Sequence, residues 1–483
     1  MIVMRIRAIY RITAPILFSL LIFGACEDWL AINTDPNSPA DNEMTENVYL
    51  PGIEAQVAYE LAGGFPARYP NYWMLQVGRD AAAPDFATYN IDESDVNNTW
   101  TYTVYTSALK NAVKLSNLAE SNENYYYAGI AKVISAYILA ITTDCYGDIP
   151  WTQAFQPQEY PFPAFDSQES IYTSVQGLLD DAITNFNAPE DGQSLKPGGE
   201  DYIYGGDVSL WMKFAYTLKA RYAMRLTYAP GKTGSGQADI ALAALANGLS
   251  ANDENPGVTF SNSSGGEAPW YQWHIKWEPV AVWSNEYMVN LMNSKDDPRR
   301  AVYFTETITG DYVGHRTGTM IPTDSYDSVS QISDYILAAD QTVYWTSYDE
   351  AKMLESEAYL WKNQPTEAKT SLDDAITANM QRLGVSQSDI DTYITGIGSL
   401  PSDFEQAQQM ILEEKYVSDF LSTEVWSDQR RTGYPAISSA DIDNPTYSNI
   451  PLRFMYPADV EQNNSKNEPH IDWLSDPVWW DNK

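Results

Sequence analysis

Residue types able to carry chemistry are few in this chain and poorly grouped. The three histidines, His274, His315 and His470, stand far apart and in no metal-ligand spacing, so no metal site is expected. Neither cysteine belongs to a nucleophile motif, and no G-x-S-x-G elbow occurs. The stretch Gly231 to Gly236, GKTGSG, carries the glycine-lysine core of a phosphate loop, but Leu226 occupies the place five residues upstream where a glycine is needed. An interhelical turn is the expectation there. Paired acids such as Asp180-Asp181, Asp296-Asp297 and Glu413-Glu414 could supply two carboxylates across a glycosidase cleft, yet with 65 Asp and Glu such pairs follow from composition. No catalytic residue and no cofactor is therefore expected.

Aromatic side chains are the stronger signal. Between Glu267 and Trp283 the sequence reads EAPWYQWHIKWEPVAVW, with Trp270, Tyr271, Trp273, Trp277 and Trp283 in one segment read as a loop without a helical stripe. Ring faces stack on the C–H faces of sugars while neighbouring amides and acids bond the hydroxyls, the usual make-up of a mostly apolar pocket with a few placed polar groups. A second group, Arg68, Tyr69, Tyr72, Trp73 and Trp100, could face the first. The competing reading is that these rings plug loops onto a scaffold.

The elements that must position them are helical. Ile130, Val133, Ile134, Tyr137, Ile138 and Ile141 place one apolar stripe on a helix of about 20 residues. Ile171, Val175, Leu178, Leu179, Ala182 and Ile183 repeat the pattern, with Asp166 and Glu169 as a cap-like start. Asp207 opens another helix, with Trp211, Ala215, Leu218 and Tyr222 on one face, and Ser402 with Glu405 reads as a capping box. Tyr359, Ala368, Leu372 and Ala375, with Ser356, have the spacing of a tetratricopeptide hairpin, although Glu355 stands where leucine is usual. The fold is read as mainly α: tetratricopeptide-like hairpins combined with a loop-rich irregular half. Expected long loops are Gly63 to Asn98, Cys145 to Phe165, Asn187 to Gly206, Ala251 to Trp283 and Thr307 to Ser325.

The beginning of the chain has the layout of a secretory signal. Arg5, Arg7 and Arg11 precede an apolar run from Ile12 to Phe23, too short to span a bilayer, and Gly24 and Ala25 follow. Phe23-Gly24-Ala25-Cys26 resembles the lipobox of bacterial lipoproteins, with Phe23 where leucine is usual. The reading is a lipoprotein signal peptide over 1–25, a lipid-anchored tether over 26–44 beginning at Cys26, and a single binding domain over 45–483. Conventional cleavage that leaves Cys26 a free thiol is the alternative. With Cys26 modified, Cys145 has no partner for a disulfide. A formal charge of −36 excludes nucleic acid and anionic lipid headgroups as partners, so membrane association must come from a lipid. The 34 tyrosines and 15 tryptophans exceed what a core needs, which places some at the surface.

A set of short motifs then runs in order along the chain. Asn33-Thr34-Asp35-Pro36-Asn37 is followed by Thr143-Asp144-Cys145-Tyr146-Gly147-Asp148-Ile149-Pro150, then by Tyr204-Gly205-Gly206-Asp207 with Trp211, Lys219 and Arg221. Asp297-Pro298-Arg299, the helix at Glu355 to Leu360, and Glu424 to Pro435 with Trp426, Arg430, Arg431 and Gly433 come next. Pro451, Arg453, Tyr456-Pro457, Glu461 and Asn463-Asn464 close the series. Together they resemble the SusD/RagB family of nutrient-binding outer membrane lipoproteins. The resemblance implies an α-helical fold with tetratricopeptide-like units and a non-catalytic, aromatic-rich ligand surface on the loop side. It also implies a lid-like role on a SusC-like TonB-dependent transporter at the outer face of the outer membrane, handing in glycans or peptides. Gly147 and Gly206 are expected to serve turns, and Arg430 and Arg431 to pair with buried or helix-end carboxylates. A peptide-binding member of the same scaffold and a secreted glycan-active enzyme are the alternatives.

Overall fold

In a computed structural model of the protein, residues 44–277 and 281–483 are described, so Cys26 and nearly all of the proposed tether lie outside the described residues. The helices are α1 Glu46–Gln56, α2 Phe65–Trp73, α3 Leu109–Ser121, α4 Tyr125–Tyr146, α5 Gln168–Phe186, α6 Val208–Arg225, α7 Gly234–Leu245 and α8 Pro269–Tyr271. After them come α9 Glu286–Ser294, α10 Arg300–Tyr303, α11 Tyr348–Trp361, α12 Pro365–Arg382, α13 Gln387–Ile397, α14 Phe404–Ser418, α15 Glu424–Thr432 and α16 Ala458–Asn464. Helices α3 to α7, α11 and α12 form a stack in which sequence neighbours pack, with α7 bridging to α11.

The apolar stripe of α4 is at the centre of the main core. This helix is long and apolar enough to cross a membrane, but 94% of its most apolar window is buried inside the protein. Gly129 lets α5 come close: a Cβ there would stand 2.5 Å from the Phe186 ring. A second contact is built from small residues, with Ala220, Ala223, Ala238 and Ala241 packing α6 and α7 against Leu354 and Ala358 of α11. The α11/α12 hairpin is closed by Ser356, whose hydroxyl donates to the Ala368 carbonyl at 2.7 Å, over the buried Leu372 and Ala375. The mainly helical reading and the hairpin spacing both match.

Helix starts shift by a residue from expectation. The N-cap of α5 is Ser167, while Asp166 accepts from the Trp151 and Thr152 amides at 2.8 Å and so shapes the preceding loop. Asp403, not Ser402, caps α14. Asp207 caps α6 as expected, accepting from the Ser209 amide at 2.9 Å. Gly147 and Gly206 take φ values of +82° and +88°, which favour glycine.

Ion pairs buried among the helices replace disulfides as internal ties. Arg221 bonds Glu350 through Nε and Nη2, at 2.8 and 2.5 Å, and Arg225 pairs with Glu424 at 2.6 Å and Asp144 at 3.4 Å. Lys415 lies 2.6 Å from Asp428 and 2.7 Å from Asp419, and Arg431 forks onto Glu357 at 2.7 Å through both terminal nitrogens. Burial alone would raise the Glu424 carboxyl, but Arg225 and Arg221 hold it below its ordinary range. Arg431 thus pairs with carboxylates as expected. Arg430 instead donates to the Asp144 and Leu452 carbonyls and lies between the Trp426 and Trp480 rings, 3.6 and 4.7 Å from their centroids.

Candidate functional site

The Ala251 to Trp283 region is not all loop. Pro269 starts a helical turn that continues as a π-helical segment over Gln272–Trp277. Proline suits a first helical position, because its missing N–H would have no intrahelical acceptor. It seats on Gly63, where a Cβ would fall 2.3 Å from Pro269 Cγ. Gln272 pins the turn: the Tyr59 hydroxyl donates to its Oε1 at 2.9 Å, and its Nε2 donates to the Glu267 carbonyl at 2.9 Å. Lys276 closes onto the Glu267 carboxylate. The Gly63 to Asn98 region likewise contains α2, begun by Phe65 and Pro66.

Two small antiparallel pairings bring the neighbouring loops together. β1, Val77–Gly78, pairs with β3, Trp283–Ser284, and β2, Gly257–Thr259, pairs with β4, Thr342–Tyr344. Asp80 reaches the 315–331 segment, accepting from the Ile321 amide at 2.6 Å and the Tyr326 hydroxyl at 2.7 Å.

On one side of the turn Trp273 meets Arg68 and Tyr72 of the second aromatic group, and Tyr69 only through Phe86. Its indole N–H donates to the Tyr72 hydroxyl at 3.1 Å, and that hydroxyl donates to the Ala281 carbonyl. The Arg68 guanidinium is 4.8 Å from the centroid of the half-buried Trp273 ring, and its Nε is buried without a hydrogen-bond partner among the described residues. Burial lowers the pKa of Arg68. Tyr69 stacks on Phe86 at 4.3 Å and 12°, and Arg79, paired with Asp85, covers Phe86 at 4.7 Å. Cations and rings thus alternate along this surface.

On the other side Trp270 forms part of the wall of a cleft of about 200 Å³ between the loops and the helical stack. Tyr303, Trp345 and Phe420 line it further in; Tyr335 and Tyr344, 51% and 40% exposed, stand among its lining residues. Arg382, Glu350 and Asp419 supply its charges. Tyr335, Tyr344 and Trp345 are close together in sequence, the criterion already applied to residues 267–283, so this wall was open to the same reasoning.

Several of the expected ligand rings are interior instead. Tyr72 and Trp73 are fully buried, and Trp100, Trp270 and Trp283 nearly so. Trp73 donates to the Phe86 carbonyl at 2.9 Å and meets Trp426 and Phe454 edge-on. Trp100 packs among Tyr105, Tyr146, Phe165 and Tyr456, far from any partnership with Trp273, and Trp283 packs against Tyr326. Large rings gain most from burial when the polar edge finds an acceptor. Tyr271 is half-buried, and the Trp277 side chain lies outside the described residues.

The tempting acids are engaged structurally. Glu414 is buried between Lys295 at 3.0 Å and Arg299 at 2.7 Å; burial would raise its carboxyl, yet these cations hold it at about 2. Asp297 forks onto Arg299, and Asp180 pairs with Lys219. Gly231 takes the turn after α6, and Thr233 caps α7, so GKTGSG is an interhelical turn and a helix start. His274 accepts from the Val282 amide through Nδ1 at 3.2 Å, burial lowering its pKa, and His315 lies 2.9 Å from the Thr319 carbonyl.

Comparison with known proteins places this architecture. Residues 43–457 match the family model SusD-like_2, described as starch-binding and associating with the outer membrane. A solved structure named as a chitin-binding protein is 22% identical with a TM-score of 0.76, covering 90% of this chain and 100% of its own. A SusD/RagB family protein from Bacteroides thetaiotaomicron is 23% identical at a TM-score of 0.74, covering 91% and 99%. A SusD homolog from Bacteroides fragilis is 18% identical at 0.76, covering 91% and 100%. No curated protein sequence matches. With the family match running across the helical stack and the loop face alike, the chain belongs to the SusD-like family.

Proposed function

We propose that the protein captures oligosaccharides on the loop face around Trp270 and Trp273 and delivers them to a SusC-like TonB-dependent outer membrane transporter. In this reading it is held at the outer face of the cell by a lipid on Cys26. The observation that carries the ligand class is the pinned turn of residues 269–277, which sets one indole into a cleft wall and the next beneath the Arg68 guanidinium. The half-buried Trp273 ring, and the half-exposed Tyr335 and Tyr344 rings of the cleft that Trp270 lines, suit the alternating C–H and hydroxyl surface of a sugar. The starch-binding description of the family and the chitin-binding neighbour support a glycan. The structural engagement of Glu414, Asp297 and Asp180 supports binding without turnover. The charge of −36 gives peptide capture its one supporting observation, and would favour basic peptides.

The test is calorimetric titration of the protein, with Cys26 replaced by serine, against oligosaccharides and peptides. Trp273→Ala is expected to weaken glycan binding by on the order of 1 kcal/mol with helicity unchanged. Binding of peptides alone would replace the glycan reading, and turnover of any substrate would overturn both.

A further inference from the structure

The arginines of this acidic chain are engaged almost throughout. Among the described residues every arginine except Arg68 donates to a carboxylate, a carbonyl or an amide oxygen, from Arg79 on Asp85 to Arg453 on the Tyr146 carbonyl. Arg68 makes neither a hydrogen bond nor an ion pair among those residues; its Nε is enclosed, while Nη1 and Nη2 are not. What holds it is the Trp273 ring, 4.8 Å from the guanidinium carbon, in a setting dry enough to lower its pKa. Glu60 acts on it through space but forms no ion pair with it, and burial raises the Glu60 carboxyl in turn. A guanidinium that has lost water and gained no counter-charge is costly, and an oxyanion docked on its terminal nitrogens offsets that cost.

From this we infer that Arg68 sets the specificity of the surface around Trp273, selecting a glycan with an isolated oxyanion, a uronate carboxylate or a sulfate ester, that accepts from Nη1 and Nη2. The planar fork of a guanidinium meets a carboxylate or sulfate edge with two parallel hydrogen bonds, each about twice as strong as one to a neutral hydroxyl. A neutral sugar gains less at this point. The surroundings favour one charge over many. Phe86 stands 6.2 Å from Trp273 and carries the Arg79 guanidinium at 4.7 Å, but Asp85 already matches Arg79. The formal charge of −36 turns away polyanions, whereas a single oxyanion beside Arg68 meets the local cation while distant acids are screened beyond roughly 8 Å at about 0.15 M salt. The inference rests on the glycan reading and adds to it the charge of the ligand.

The test is calorimetric titration of the whole protein carrying Cys26→Ser. One pair of probes is maltohexaose with a single glucose oxidised at C6 to a uronate and the methyl ester of that sugar, which keeps the size and loses the charge. A second pair is chitohexaose with and without one 6-sulfate, and a galacturonate hexamer supplies a charge on every ring. The uronate or the sulfate is expected to bind tighter than its uncharged counterpart by about fivefold or more, which also identifies the source of the oxyanion, and the galacturonate to bind more weakly than the preferred singly charged sugar. Arg68→Met should erase the difference between charged and uncharged forms. Because Arg68 has no internal partner, that variant should melt no lower than the parent; a fall of several degrees would reveal such a partner and overturn the inference. Equal binding of charged and uncharged forms, or a preference that survives Arg68→Met, would overturn the oxyanion site while glycan capture stands. Tightest binding of the galacturonate would overturn selection of a single charge. Failure of every sugar to bind, with or without binding of a peptide that ends in a free carboxylate, would overturn the glycan reading and this inference together.

Discussion

Glu54 of α1 is fully buried and accepts from the Tyr202 amide at 2.8 Å. Burial first, and then the nearby Asp201, raise its carboxyl well above the ordinary 4.5. Asp201 is committed elsewhere, accepting from the Gly206 amide at 2.9 Å and the Trp211 indole at 2.8 Å. The folded protein therefore keeps a proton that the unfolded chain releases above its own pKa. This contribution is complete below pH 4.5 and is lost as pH rises towards the folded value, with a slope of about 1.4 kcal/mol per pH unit while only the unfolded chain is ionised. Glu54→Gln should flatten that decline, as read from urea unfolding between pH 5 and 8; parallel profiles would mean that Glu54 is ionised in the fold. Arg431 offers a test independent of pH. Arg431→Met leaves Glu357 buried without its fork and should cost about 3–5 kcal/mol, with part of the loss recovered on adding Glu357→Gln.

At the level of elements, the seat of Pro269 on Gly63 is the contact to probe. Gly63→Ala must displace the turn that carries Trp270 and Trp273, so glycan affinity should fall several-fold while the melting temperature moves little; unchanged affinity would uncouple that seat from binding. The helices were legible because their stripes are local: α4 and α5 lie where periodicity puts them. The π-helical turn was not, since what winds it comes from afar, with Tyr59 bonding Gln272 across 213 residues of sequence. Ring clusters were legible as clusters, but not which rings face solvent. Trp73 and Trp273 look alike in sequence, and only the carbonyl and the Trp426 and Phe454 rings waiting for Trp73 draw it inside.

For the whole molecule, one core joins residues from Tyr49 to Trp480, and the loop-borne Trp270 and Val282 belong to the same cluster as α4. Unfolding should accordingly be a single transition, with far-ultraviolet dichroism and tryptophan fluorescence coinciding; an early fluorescence change would show that the loop half melts by itself. The buried ion pairs are distributed differently, and the one group off the helices among the described residues, Asp297 with Arg299 at the N-cap of α10, joins Glu414 of α14 outside the binding loops. Asp144, Arg221, Arg225, Glu350, Glu357, Lys415, Glu424, Asp428 and Arg431 all lie on helices, and Asp419 caps one. The charges that fix helix against helix thus make no demand on the identity of the segments strung between them. Such a frame can be re-equipped: exchange the 63–98, 251–283 and 307–345 segments and the appetite of the molecule changes, while the lattice beneath keeps its register.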